Sequence, residues 1–72
     1  MNEYWKLDCE KIVGIMREQE LKRWWVAENA GVHKTTLRRW LSGDISKVEA
    51  PRVASLATTL NVQSGDIARR CV

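Results

Sequence analysis

The sequence predicts an all-α fold of five short helices, packed as one compact domain. Three observations favour it: apolar residues recur at helical spacing, residues suited to helix caps separate these segments, and no segment shows strand-like alternation. A chain of 72 residues is near the size at which one hydrophobic core supports folding, and 44% of its residues are hydrophobic. We therefore expect a single domain over residues 1–72, with an amino-terminal arm at residues 1–7.

The first two helices are predicted from their caps and their apolar spacing. Asp8 is a favourable N-cap for a helix over residues 9–18, because its carboxylate can accept a hydrogen bond from a first-turn amide. A second helix is predicted over residues 23–29, although Lys22 offers no capping oxygen at its start. Gly31 ends this helix, because glycine adopts the left-handed conformation of a C-terminal cap at little steric cost.

Three further helices are predicted in the second half of the chain, near residues 33–42, 49–60 and 64–70. The first of them begins at His33 or Lys34. Gly43 and Asn61 suit the left-handed caps that end the first two, and Pro51 suits the first turn of the second. We expect the last helix to continue to Arg70.

Positive charge is concentrated in the middle of the chain. The formal net charge is +3, and residues 17–47 carry seven Lys or Arg against four Asp or Glu. This distribution favours the docking of a polyanion against the middle segment. A solvated basic surface would have the same composition, so charge alone does not decide between the two.

A helical wheel of residues 34–41 separates polar from apolar side chains. At about 100° per residue, one arc holds Lys34, Thr35, Arg38 and Arg39, and the other holds Thr36, Leu37, Trp40 and Leu41. The first arc contains no acid, whereas a solubilising helix surface usually mixes acids with bases. The pattern therefore favours a surface that binds an anionic partner.

The segment before this helix has the composition of a helix-turn-helix. Two short helices joined by a few residues with a glycine cross steeply, so that the second protrudes while the first braces it. Ala27 is small where the two helices approach, and Val32 and Leu37 are expected to fill the space between them.

On these residues the chain resembles the Cro and phage-repressor type of helix-turn-helix protein, also called Xre-like or lambda-repressor-like. The resemblance covers residues 8–70 and is strongest in the stretch "VAENAGVHKTTLRRWLSG". It implies a five-helix domain with a helix-turn-helix core at residues 23–41. It also implies a sequence-specific regulator of transcription, of phage or bacterial type, that represses by occupying a double-stranded DNA operator.

The resemblance implies two sets of DNA-contacting residues. The base-reading positions fall on Lys34, Thr35, Arg38 and Arg39. The phosphate-contacting positions fall on Arg23, Thr36, Ser42, Gly43 and Lys47, to which we add His33 as a helix cap or phosphate contact. The residue types fit, because arginine donates two hydrogen bonds to guanine and threonine contacts either base type.

The four tryptophans have different expected roles. Trp40 lies on the apolar arc and is expected in the core, as is Trp5, which with Tyr4 folds back onto it. One of Trp24 and Trp25 should pack against helix one or the arm, and the other should be exposed. An exposed tryptophan often marks a protein interface, so the alternative function is a protein-interaction module, an antitoxin or adaptor, on the same scaffold.

Catalysis, cofactors and metal binding are not expected. His33 has no partnered nucleophile, and Cys9 and Cys71 lack the paired spacing of a zinc site. We expect both thiols to be free, small hydrophobic side chains in a reducing cytoplasm.

The expected partners are double-stranded DNA and, on the DNA, a second copy of the chain. No apolar run approaches the roughly 20 residues that span a bilayer, and residues 1–6 lack the pattern of a secretory signal. We therefore expect a cytoplasmic protein associated with the nucleoid, with no membrane contact and no small-molecule ligand.

Overall fold

Five helices and three short strands make up the fold. The computed structural model describes residues 3–71. The helices are α1 (Cys9–Glu18), α2 (Arg23–Ala30), α3 (Lys34–Ser42), α4 (Ala50–Leu60) and α5 (Ser64–Ile67). The strands are β1 (Tyr4–Leu7), β2 (Lys47–Glu49) and β3 (Ala68–Arg70).

The three strands correct the all-α prediction. They form one antiparallel sheet with β1 in the centre, β2 on one side and β3 on the other. The expected arm at residues 1–7 is therefore a strand from Tyr4 onward, while residues 1 and 2 lie outside the described residues. The fifth helix stops at Ile67 rather than Arg70, because Ala68 is extended, with φ −155° and ψ 161°.

Backbone hydrogen bonds hold β1 to the segments on both sides. The amide of Leu7 donates to Ser46 O at 2.7 Å, and the amide of Cys71 donates to Tyr4 O at 2.9 Å. Side chains alternate across the sheet as strand geometry requires, so that Leu7 is buried and Lys6 is exposed. One face of the sheet therefore covers the helices and the other faces solvent.

The helix ends follow the predicted caps. The carboxylate of Asp8 accepts a hydrogen bond from the amide of Lys11 at 3.2 Å. Gly31, Gly43 and Asn61 end their helices in the left-handed region, with φ of +72°, +86° and +60°. Local residue choice thus accounts for the start of α1 and for the ends of α2, α3 and α4.

The core lies between the helices and the inner face of the sheet. Its most buried side chains come from α1, α2, α3, α4 and α5: Ile12, Val26, Leu37, Val53, Leu56, Leu60 and Ile67. All the fully buried side chains of residues 3–71 are apolar. Because the apolar side chains of α3 are buried, one side of this helix packs against the protein and the other side faces solvent.

The tryptophans only partly follow the prediction. Trp40 is 2% exposed and Trp5 packs against the core, both as expected, but Tyr4 is 44% exposed. The expected packing of one of the other two against α1 or the arm is wrong. Trp24 is 57% exposed and Trp25 is 37% exposed, and Trp25 lies beside α4.

Candidate nucleic-acid interface

The turn between α2 and α3 is a tight, bonded connection. Past the left-handed Gly31, the amide of Val32 donates to Ala27 O at 3.0 Å. Ala27 and Leu37 are both buried, and Val32 packs against the core. This packing braces α3 from behind, so that its opposite side faces solvent.

The outer side of α3 carries the predicted base-reading residues, and all four are exposed: Lys34, Thr35, Arg38 and Arg39. We call these four residues the α3 rim. The opposite side of the helix is buried through Leu37, Trp40 and Leu41. The helical wheel therefore predicted the orientation of α3 correctly.

The cations of the α3 rim are not neutralised by neighbouring acids. Among residues 3–71, the ion pair that the structure shows joins Arg70 to Glu3, on the sheet. Within that range, no carboxylate lies within ion-pair distance of a cation of the α3 rim. Their charge is available to an anionic partner.

A first groove separates α2 from the α3 rim. Arg23 and Trp24 line it from α2, and Lys34, Thr35 and Arg38 line it from α3. Three cations and an exposed indole thus surround one shallow depression. We call it the α2–α3 groove.

A second groove separates α3 from the sheet and the start of α4. Thr36 lines it from α3, Tyr4, Lys47 and Glu49 line it from the sheet, and Arg52 lines it from α4. We call it the α3–sheet groove. It brings Thr36 and Lys47 together, both of which are predicted phosphate contacts.

Arg39 lies between the two grooves and lines neither. Helix geometry explains its position, because at about 100° per residue Arg39 falls about 40° past Thr35 and about 60° before Thr36. Thr35 belongs to the first groove and Thr36 to the second. Arg39 therefore lies on the outermost line of α3, with a groove on each side.

His33 is the N-cap of α3. Its Nδ1 atom accepts a hydrogen bond from the amide of Thr35 at 3.3 Å, so the neutral ring carries its proton on Nε2. Within residues 3–71, Nε2 donates to no acceptor. His33 therefore combines the predicted capping role with a free donor beside the α3 rim.

The donors at the other end of α3 are engaged within the protein. The hydroxyl of Ser42 donates to Arg39 O at 3.1 Å, and the amide of Gly43 donates to Trp40 O at 3.3 Å. Phosphate contact at either position stays a prediction, and a phosphate would have to compete with these bonds. Lys47 and Arg23 are exposed and have no such constraint.

Sequence reasoning missed several polar and aromatic residues of these grooves. Arg52, Glu49 and Tyr4 lie in the α3–sheet groove, and Trp24 lies in the α2–α3 groove. Arg52 was detectable only as a cation in the first turns of a predicted helix. Its position beside Lys47 depends on the β1–β2 pairing, which the sequence did not reveal.

The arrangement is that of a protruding helix with cations on both flanks, braced by a second helix across a glycine turn. The family model of the Cro/C1-type HTH DNA-binding domain matches residues 11–70. The chain belongs to this family. This Cro/C1-type chain is therefore a DNA-binding domain of a transcription regulator, as the resemblance implied.

Two solved structures resemble this Cro/C1-type domain, and no curated protein matches it. They are "Native PhpD with Cadmium Atoms" and "Phpd with cadmium complexed with hydroethylphosphonate (HEP)". Each gives a TM-score of 0.71 at 24% identity and covers 88% of this chain but 13% of the PhpD chain. At that identity the likeness extends to the fold alone.

The described residues provide neither a metal cluster nor a membrane span. Across residues 3–71, no three His, Cys, Asp or Glu side chains group closely enough to hold a metal ion. Cys9 and Cys71 are free thiols, each half-buried. In the same range no helix has the length and apolar character needed to cross a bilayer.

Proposed function

We propose that this Cro/C1-type domain is a sequence-specific repressor that occupies a double-stranded DNA operator with α3 in the major groove. The observation that carries the proposal is the α3 rim: four exposed side chains with no acid among them. On one side of it lies a groove with Arg23, and on the other a groove with Lys47, Arg52 and one acid, Glu49. Repression by occupancy alone requires DNA binding and no catalytic chemistry.

The dimensions of α3 suit the major groove. An α-helix with its side chains is about 10–12 Å across, and the groove is about 12 Å wide. The nine residues of α3 rise about 13 Å along the helix axis. Arg39, on the outermost line, would contact base edges most deeply, where arginine pairs with guanine O6 and N7. Lys34 and Thr35 would contact bases at the start of the helix. One protein molecule would then read about four to six base pairs.

Cations on both flanks of α3 would hold it in register. Arg23 lies on the α2 side, and Lys47 and Arg52 lie on the sheet side. A helix lying in the major groove has a phosphate backbone on each side, so these cations would contact opposite strands. His33 Nε2 adds a neutral donor at the start of the helix.

We also propose that two copies bind together. A reading surface of about four to six base pairs gives weak specificity, and family members of this kind bind half-sites about one helical turn, or 34 Å, apart. Trp25 and α4 form a groove whose described lining carries no charged side chain: Trp25, Asn29, Ala54, Ser55, Thr58 and Thr59. That groove is the surface we assign to the second copy.

The test is titration of a labelled random-sequence duplex at low salt. Wild type should bind, and the double variant Arg38→Ala, Arg39→Ala should lose most of its affinity. The matched control is Arg17→Ala with Arg70→Ala, which removes the same charge from exposed residues that line neither groove of α3. Absence of wild-type binding, or equal binding by the two double variants, would overturn the proposal.

A second candidate function is favoured by one observation, the exposure of Trp24 and Trp25 at 57% and 37%. A protein-interaction module, such as an antitoxin or adaptor, would use these rings as anchors in a partner protein. Failure of wild type to bind any duplex would favour this candidate. Enrichment of one motif from a random duplex pool would favour the repressor and would report the symmetry of its site.

A further inference from the structure

Three cations lie side by side across the outer face of the sheet. Lys6, in the central strand, pairs in register with Lys47 on one side and with Arg69 on the other. Directly opposed residues of an antiparallel pair lie on the same face, with Cβ atoms about 5 Å apart. All three side chains are exposed, and we call them the sheet cation row.

This arrangement is unfavourable for the isolated protein. Like charges directly opposite each other destabilise a strand pair. Among residues 3–71, no carboxylate forms an ion pair with any cation of the row. The ion pair on this sheet is made by Arg70, whose register with Trp5 puts it on the opposite face.

Three carboxylates, those of Asp8, Glu10 and Asp66, line one recess with Lys6 and Arg69, but among residues 3–71 none of them forms an ion pair with the row. Asp8 accepts a hydrogen bond from the amide of Lys11, and Asp66 accepts one from the amide of Gln63 at 3.0 Å. Glu10 lies in the same recess as Arg69, without an ion pair to it. Glu49 pairs in register with Tyr4 and lies on the same face as Lys47, two residues away, without an ion pair to it.

The row is continuous with the DNA-reading helix. Lys47 belongs both to the row and to the α3–sheet groove, where Thr36 and Arg52 lie. Strands lie about 4.8 Å apart, so the row extends about 10 Å from Lys47 to Arg69. One DNA strand carries one charge per about 3.4 Å of the helix axis, so a row of this length matches about three phosphates of one backbone.

We infer that the outer face of the sheet is a second DNA-contacting surface, which binds the phosphate backbone next to the segment of major groove occupied by α3. This inference rests on the proposed function, because it extends the same complex. Lys6 and Arg69 are the new contacts. Their contribution is independent of base sequence, and the bound phosphates relieve the repulsion within the row.

The test compares two adjacent residues of β3. Arg69→Gln removes a cation of the row, whereas Arg70→Gln removes the same charge from the opposite face and is the matched control. Removing one phosphate-binding cation should decrease the steepness with which log K falls with log salt by about 0.9. We expect that decrease for Arg69→Gln and for Lys6→Gln, equally on operator and random duplex, and none for Arg70→Gln.

A second measurement needs no DNA. In low salt, Lys6→Gln should raise Tm, because it removes a charge that has a like charge on each side. In high salt the difference should disappear, because the repulsion is screened. A Tm that falls in low salt would contradict the account of the row as unsatisfied charge.

The outcomes separate this inference from the proposed function. Suppose that the salt slopes of Lys6→Gln and Arg69→Gln equal that of Arg70→Gln, while the Arg38→Ala, Arg39→Ala variant fails to bind. That result would overturn the sheet surface alone. Absence of duplex binding by wild type would overturn both.

Discussion

The Nδ1 atom of His33 accepts a hydrogen bond from the amide of Thr35, 3.3 Å away, at the first turn of α3. The bond satisfies one of the amides that a helix start leaves without an intrahelical partner. It also fixes the ring so that Nε2 is the donor. One side chain thus caps α3 and leaves a free Nε2 donor beside the start of the helix.

These two roles of His33 are separable by substitution. His33→Ala should lower the free energy of unfolding by about 0.5–2 kcal/mol through loss of the cap. His33→Ser should keep a capping oxygen and hence the stability. Both variants lack the Nε2 donor, so both should bind duplex DNA more weakly than wild type. Denaturant unfolding and duplex titration measure the two effects, and wild-type affinity in His33→Ser would exclude the phosphate contact.

Two glycines provide a matched test of the turn. A Cβ added at Gly14, in α1, or at Gly31, after α2, would meet no heavy atom within 4 Å. The sites differ in backbone conformation, because Gly31 has φ +72°. Gly14→Ala should therefore stabilise the fold by about 0.5–1 kcal/mol. Gly31→Ala should destabilise it by about 1–2 kcal/mol.

Chemical denaturation of the two variants checks this prediction. Opposite signs are expected, since both substitutions add the same methyl group to open space. A stabilised Gly31→Ala variant would show that the turn does not require the left-handed conformation.

Arg39 and Arg23 should differ in the kind of affinity they provide. Arg39 lies on the outermost line of α3, so Arg39→Ala should cost about 1–3 kcal/mol on the preferred site and relax the preference at one base pair. Arg23 lies on the α2 flank, so Arg23→Ala should weaken binding to all DNA sequences alike. It should also decrease the steepness with which log K falls with log salt by about 0.9. Selection from a random duplex pool and salt titration distinguish the two. An unchanged motif with Arg39→Ala would remove it from the base-reading set.

Most of the helical architecture could be predicted because its signals are local. The caps at Asp8, Gly31, Gly43 and Asn61 act within a few residues of the helix ends, and each is found as predicted. The orientation of α3 followed from the spacing of its apolar residues. Local sequence was therefore sufficient for α1 to α4 and for the α3 rim.

The sheet could not be predicted in the same way. Its strands have three or four residues, too few for alternation to stand out, and each is stabilised by pairing with a distant segment. Lys6 and Arg69 are 63 positions apart in number, yet they are neighbours in the sheet. Residues brought to the site by such pairing, such as Arg52 and Tyr4, were missed for the same reason.

Trp24 and Trp25 are adjacent but border different grooves. Trp24 lines the cationic α2–α3 groove, whereas Trp25 lines the groove beside α4. In that second groove the hydroxyls of Thr58 and Thr59 donate to carbonyls of their own helix, each at 2.9 Å. These hydroxyl donors therefore already have acceptors. A second copy of the protein could cover them without breaking a hydrogen bond.

This difference predicts distinct effects for two matched variants. Trp25→Ser should shift the monomer–dimer balance towards monomer and lower the cooperativity of operator binding, because it removes the largest apolar surface of the proposed dimer contact. Trp24→Ser should leave that balance unchanged and weaken duplex binding, since its ring lies among the cations that flank α3. Sedimentation velocity over a range of concentrations measures the first effect, and duplex titration the second. An unchanged balance in both variants would remove the dimer contact from this surface, and a shift with Trp24→Ser alone would transfer it to the α2–α3 groove, where it would compete with DNA.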